Sequence, residues 1–194
     1  MERQIIVRIK KRNSESLVDN NKTKYEQKQS EYKPLKSGWF MLDLQEGWRE
    51  FISSHDFDLF VTLTFQDEIK PETSKKRFEK WIRSLSIKLF GWRYEQKGLG
   101  IRYAVVYEYQ KRGVLHIHAL LGAKGLKDID REYLAKLWKN NGQLDKETGT
   151  PVERVVNGHA KIELYDPARG AIRYMTKHIS KGVEPDIFVP RKER

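Results

Sequence analysis

Residues 102–121 read RYAVVYEYQKRGVLHIHALL, and this stretch decides the fold. It contains two runs of β-branched, aromatic and aliphatic residues, 102–109 and 114–121, separated by a short polar segment that ends in Gly113. Two such runs with a glycine-containing connection predict a β-hairpin. The chain therefore begins its sheet with a pair of antiparallel strands.

The hairpin also predicts which side chains lie opposite each other. If 111–113 form a three-residue loop with the glycine in the left-handed conformation, Gln110 lies opposite Val114. Counting back along both strands then places Glu108 directly opposite His116. The register thus brings a carboxylate and an imidazole to the same place on the sheet.

A second imidazole belongs to the same patch. His118 projects from the same face as His116, because side chains two apart in a strand point to the same side. Two imidazoles and the Glu108 carboxylate suit a divalent ion, Mg²⁺ or Mn²⁺, and leave positions for water and phosphate oxygens. The alternative for the histidine pair alone is two strand residues hydrogen-bonded within a polar sheet face.

Outward from the hairpin, apolar spacing predicts helices and further strands. Trp48 and Ile52 belong to a helix, and Asp130 or Asp128 caps another. The remaining predicted elements are strands over 59–65 and 159–165 and helices that start at Pro71 and at Asp166-Pro167.

The last predicted helix carries two different faces. Projection at about 100° per residue places a narrow apolar stripe towards the core and sets Tyr174, Lys177 and Lys181 beside it on one flank. A tyrosine and two lysines on one flank suit a phosphate. The alternative is a tyrosine at the edge of the core, with lysines that extend into water. The stripe consists of Ala168, Ala171, Ile172, Met175 and Ile179.

Composition favours a nucleic-acid partner. The 194 residues include 38 Lys and Arg against 27 Asp and Glu, for a net charge of +11, and no cysteine. The charge favours a polyanion, nucleic acid before a membrane surface, and the absence of cysteine excludes disulfide scaffolds, zinc ribbons and thiol nucleophiles. No apolar run is long enough to span a membrane, which predicts a soluble, cytoplasmic protein in a bacterial or archaeal host.

The chain is expected to form one domain with basic ends. Residues 1–37 hold ten Lys or Arg and five Asp or Glu and predict a largely mobile arm, which either holds DNA or only adds solubility. Residues 38–184 are expected to be the folded domain, and 185–194 a basic tail.

Three motifs occur in the order found in HUH endonucleases: FVTLTF at 60–65, Glu108 with HIH at 116–118, and YMTK at 174–177. The chain resembles the rolling-circle replication initiator (Rep) proteins of phages and plasmids. The resemblance implies an α+β fold with a palm-like antiparallel sheet of the RNA-recognition type and helices on one side. It also implies sequence-specific nicking and joining of single-stranded DNA at a replication origin, with a 5′-phosphotyrosine intermediate and a released 3′ hydroxyl.

Motif order narrows the resemblance within that superfamily. The tyrosine follows the histidine pair, unlike in relaxases, and His178 stands where some Rep proteins carry a second tyrosine, so the chain resembles the single-tyrosine type. It contains no Gly-x-x-x-x-Gly-Lys-Ser/Thr motif, so unwinding is expected to need a host helicase.

The resemblance and the residue chemistry assign the same roles. Tyr174 is the expected nucleophile, and Lys177 orients or neutralises the phosphate. The expected metal ligands are Glu108, His116 and His118, and the expected DNA contacts are Thr62, Thr64, Arg173 and Lys181.

Three other functions remain open from the sequence. A single-tyrosine transposase of the same superfamily uses the same chemistry. A non-catalytic nucleic-acid-binding module would stack bases on Tyr103, Tyr107 and Tyr109 and need no metal. A metal-dependent hydrolase using water would tolerate the loss of Tyr174 but not that of His116.

Overall fold

The computed structural model describes residues 38–110, 113–179 and 186–190. The basic arm at 1–37, Lys181 and the end of the predicted tail lie outside these residues. The side chains of 38–44, of 178 and 179, and of 187 are also outside the description.

Helices and strands alternate irregularly along the chain. The sheet has five strands in the order β4-β1-β3-β2-β5, and each neighbouring pair is antiparallel. Short 3₁₀ turns occupy Leu126–Asp128 and Pro167–Arg169. The elements are α1 Gly38–Ser53, β1 Leu59–Thr64, α2 Pro71–Phe90, β2 Arg102–Tyr109, β3 Leu115–Gly122, α3 Arg131–Lys139, β4 Ala160–Leu164, α4 Ala171–Ile179 and β5 Asp186–Phe188.

The larger part of the core lies between one face of the sheet and helices α2 and α3. Trp81 of α2 and Trp138 of α3 are fully buried and meet edge to face, with ring centroids 5.9 Å apart. Val61 and Leu63 of β1 point into this layer, which the alternation of the strand predicts. The predicted α+β class, an antiparallel sheet with helices packed on one side, is confirmed.

A smaller apolar cluster covers part of the opposite face. Trp48 and Ile52 of α1 pack with Ala171 and Met175 of α4 against the middle of the sheet. This is the face that carries the histidines of β3, so α4 is held beside them by burial of its apolar stripe.

The predicted hairpin register is confirmed. The Gln110 N–H donates to the Val114 carbonyl oxygen at 2.9 Å, and Gly113 has a φ of 78°, which a glycine adopts without steric cost. Glu108 therefore pairs with His116 in the ladder.

Two features of the carboxyl-terminal part differ from the sequence-based expectation. The last helix begins at Ala171, because Pro167–Arg169 forms a separate 3₁₀ turn that ends at Gly170 with a φ of 71°. Strand β5 lies within the segment expected to be a tail and pairs with β2, although its three residues are too few to show an alternation. Among the described residues, the helices are all too short or too polar to cross a bilayer.

Candidate active site

Three side chains from three different elements meet on the face opposite the main core. The Tyr174 hydroxyl of α4 donates to Glu108 Oε2 of β2 at 3.1 Å and lies 3.3 Å from His118 Nε2 of β3. His118 Nε2 is in turn 3.6 Å from Glu108 Oε2. The structure thus brings together the predicted nucleophile and two of the predicted metal ligands.

The environment of Tyr174 keeps its hydroxyl protonated. Partial burial, followed by the charge of Glu108 and the hydrogen bond to it, raises the pKa of Tyr174 from 10.0 to about 12. At neutral pH the hydroxyl is therefore a donor, and the Glu108 carboxylate is its acceptor. The residue is 41% exposed, so a substrate can approach it from solvent.

His118 is held by contacts on several sides. Thr62 Oγ1 of β1, its partner in the ladder, lies 3.1 Å from His118 Nδ1. The Phe60 ring stacks nearly parallel to the imidazole, at 6.2 Å and 11°, and the Tyr174 ring meets it edge to face at 5.0 Å. When Nδ1 carries the proton and donates to Thr62, the lone pair of Nε2 points towards Glu108.

His116 completes the set of donors on the sheet. It pairs with Glu108 in the ladder, and its ring centroid is 6.0 Å from that of His118. Within the part of the chain that the structure describes, no three His, Asp or Glu side chains are gathered closely enough to hold an ion. The two imidazoles and the carboxylate nevertheless have the donor chemistry that a divalent ion such as Mn²⁺ accepts.

The other predicted residues are placed less closely. Lys177 and Arg173 are exposed on α4, on either side of Tyr174 in sequence. Thr64 does not face the tyrosine: its Oγ1 donates to the His159 carbonyl oxygen at 3.1 Å and accepts from the His159 N–H at 2.6 Å. It ties the end of β1 to the segment before β4.

A groove of ≈ 350 Å³ opens from Tyr174 and His118 towards the β4 edge of the sheet. Its walls include Lys161 and Glu163 of β4, which the sequence analysis did not select. The alternation of β4 could have identified them, because Ala160 is buried in the main core and the intervening side chains must point to the opposite face.

Comparisons with known proteins give one match. The model of a family of replication-associated proteins, the ORF2 family, matches residues 58–183. The matched segment runs from the start of β1 to just past α4 and includes every residue of the site described above. Among curated proteins and among solved structures, nothing matches the chain.

Proposed function

The chain belongs to the ORF2 family of replication-associated proteins, and on that basis we propose that it initiates rolling-circle replication of a phage or plasmid by nicking and joining single-stranded DNA. The family relates the chain to DNA replication. The tyrosine mechanism and the metal are parts of the proposal.

The observation that carries the proposal is the position of one tyrosine hydroxyl. Tyr174 Oη lies within 3.3 Å of both Glu108 and His118, on an open surface of a basic protein. A nucleophilic oxygen beside groups that bind metal or accept a proton is what phosphoryl transfer requires.

The chemistry follows from these atoms. Tyr174 Oη attacks the scissile phosphorus, the bond from phosphorus to the 3′ oxygen breaks, and the 5′ phosphate remains on the tyrosine. The phenolic proton leaves as the new bond forms, and Glu108 Oε2 lies in position to accept it at 3.1 Å. The departing 3′ oxygen takes up a proton and becomes the hydroxyl that primes synthesis. Because the bond energy is kept in the phosphotyrosine, the reverse step joins strands.

A divalent ion fits this site in its donor types. Glu108, His116 and His118 would hold it, with Thr62 fixing the tautomer of His118. When bound, the ion would neutralise charge on the phosphate oxygens during transfer. Lys177, exposed three residues after Tyr174, would approach the same phosphate from the helix.

The stacking residues of the non-catalytic alternative are buried. Tyr103, Tyr107 and Tyr109 are 9%, 7% and 8% exposed and pack in the main core between β2 and the helices. A base cannot stack on rings buried in this way. This burial favours the enzyme over a binding module that uses these tyrosines.

The decisive experiment is the detection of a covalent adduct. Purified protein is incubated with a pool of single-stranded oligonucleotides and Mn²⁺, and a protein band shifted by the DNA fragment is sought. Tyr174→Phe removes one oxygen and keeps the ring, so it should bind the DNA yet form no adduct and no nick. Tyr94→Phe is the matched control, because its hydroxyl donates to Glu95 on the surface, and it should react normally.

Two results would contradict the proposal. An adduct formed by the Tyr174→Phe protein, or a wild-type adduct mapped to another tyrosine, would remove Tyr174 from its role. Continued nicking by this variant without an adduct would indicate a hydrolase that uses water instead.

A further inference from the structure

The groove beside Tyr174 lies on the same face of the sheet as the site. In the ladder Phe60 pairs with Glu163 and Thr62 pairs with Lys161, so these four side chains continue the face that carries His118. Tyr165 and Arg169 close the far side of the groove. A strand whose phosphate reaches Tyr174 therefore has one neighbouring nucleotide within reach of the groove.

The charges in the groove balance each other. Lys161 Nζ lies 2.9 Å from Glu163 Oε2, and Arg169 contacts both Glu163, at 4.0 Å, and Asp166, at 3.6 Å. Two cations thus face two carboxylates, although the whole chain carries +11. A groove without excess positive charge is a poor site for a phosphate and a suitable one for an uncharged group with a polar edge.

The apolar part of the groove suits a planar ring. Phe60 is half-buried, and Leu164 is 50% exposed although its side chain is apolar. Tyr165 adds a second aromatic ring. The volume of ≈ 350 Å³ lies near the lower end of pockets for small ligands, of about 300 to 1,000 Å³, which fits one nucleotide rather than several. Unstacked bases bind proteins in this way, on aromatic side chains with their edges hydrogen-bonded.

We propose that this groove binds the nucleobase next to the scissile phosphate and that Glu163 selects a base with an amino group on its pairing edge, cytosine or adenine, over thymine. A carboxylate accepts a hydrogen bond from the amino group of cytosine and has no donor to offer the O4 of thymine. Lys161, 64% exposed, is long enough to leave Glu163 for a backbone phosphate when the base amino group replaces it. The inference rests on the proposed function, because it takes the substrate to be single-stranded DNA.

The test uses two readouts. An oligonucleotide cleaved by the wild-type protein is varied to each of the four bases at every position flanking the nick, and the rate of adduct formation is measured. At one of these positions thymine should slow the reaction about tenfold or more relative to cytosine or adenine. Glu163→Gln, whose amide can donate to thymine, should remove or reverse this preference. Glu147→Gln makes the same chemical change at an exposed loop residue and should leave the preference unchanged.

The second readout needs no chemistry. Binding of oligo-dC, oligo-dA and oligo-dT to the Tyr174→Phe protein should favour the first two, and Glu163→Gln in the same background should lose that preference. If Glu163→Gln keeps the wild-type base preference, or weakens all bases equally, the inference is refuted while the nicking function stands. If the wild-type protein forms no adduct with any DNA, the proposed function fails, and the binding series still decides whether the groove reads bases.

Discussion

Thr62 should be needed for nicking through its contact with a histidine of the site. Its Oγ1 lies 3.1 Å from Nδ1 of His118, a residue that is 7% exposed. Thr62→Val keeps the β-branched shape and removes only the hydroxyl, so the imidazole loses the partner that fixes its tautomer. Removal of such a partner typically lowers metal affinity or activity by about 10- to 100-fold. Because one partly buried hydrogen bond contributes about 1 kcal/mol, the free energy of unfolding should change by no more than about that amount.

The assay compares adduct formation against Mn²⁺ concentration for three proteins. Thr62→Val should need more Mn²⁺ for half its maximal rate, and Thr62→Ser, which keeps the hydroxyl, should recover most of the wild-type behaviour. Thermal melting of each protein in the absence of metal separates a loss of fold from a loss of function. If Thr62→Val matches the wild type in rate and in metal dependence, the hydrogen bond to His118 has no part in the reaction.

Three further predictions concern ionisation, metal and packing. In metal-free protein, spectrophotometric titration should show a tyrosine with a pKa of about 12 that is missing from Tyr174→Phe; because unfolded tyrosine ionises near 10, this group's stabilising contribution should be lost as the pH rises from about 10 to about 12. His116→Ala should abolish nicking and keep most of the DNA affinity, as a chelator should, because the basic surface remains; normal nicking would remove His116 from the metal site. Gly158→Ala would place a Cβ against Thr64 Oγ1 and should lower the free energy of unfolding by about 1 to 3 kcal/mol in denaturant titration, whereas Gly47→Ala, in an open helical position, should raise it by about 0.5 to 1 kcal/mol.

Local rules in the sequence determined the hairpin and most of the elements. The register of Glu108 against His116 followed from one glycine that adopts a positive φ, and the alternation of β1 predicted that Val61 and Leu63 are buried. These features depend on residues close in the chain, which is why they could be read without a structure. Tyr174 was selected by its helical spacing to Lys177 and by the resemblance to Rep proteins.

Tertiary structure alone decided what surrounds the site. The contact of Thr62 with His118 joins residues 56 positions apart, and that of Tyr174 with Glu108 joins residues 66 apart. The acceptor of the tyrosine proton depends on how α4 packs across β2 and β3, and the groove depends on β4 lying at the edge beside β1. No periodicity in the chain encodes these distances, because they are set by the burial of apolar faces that bring separate elements together.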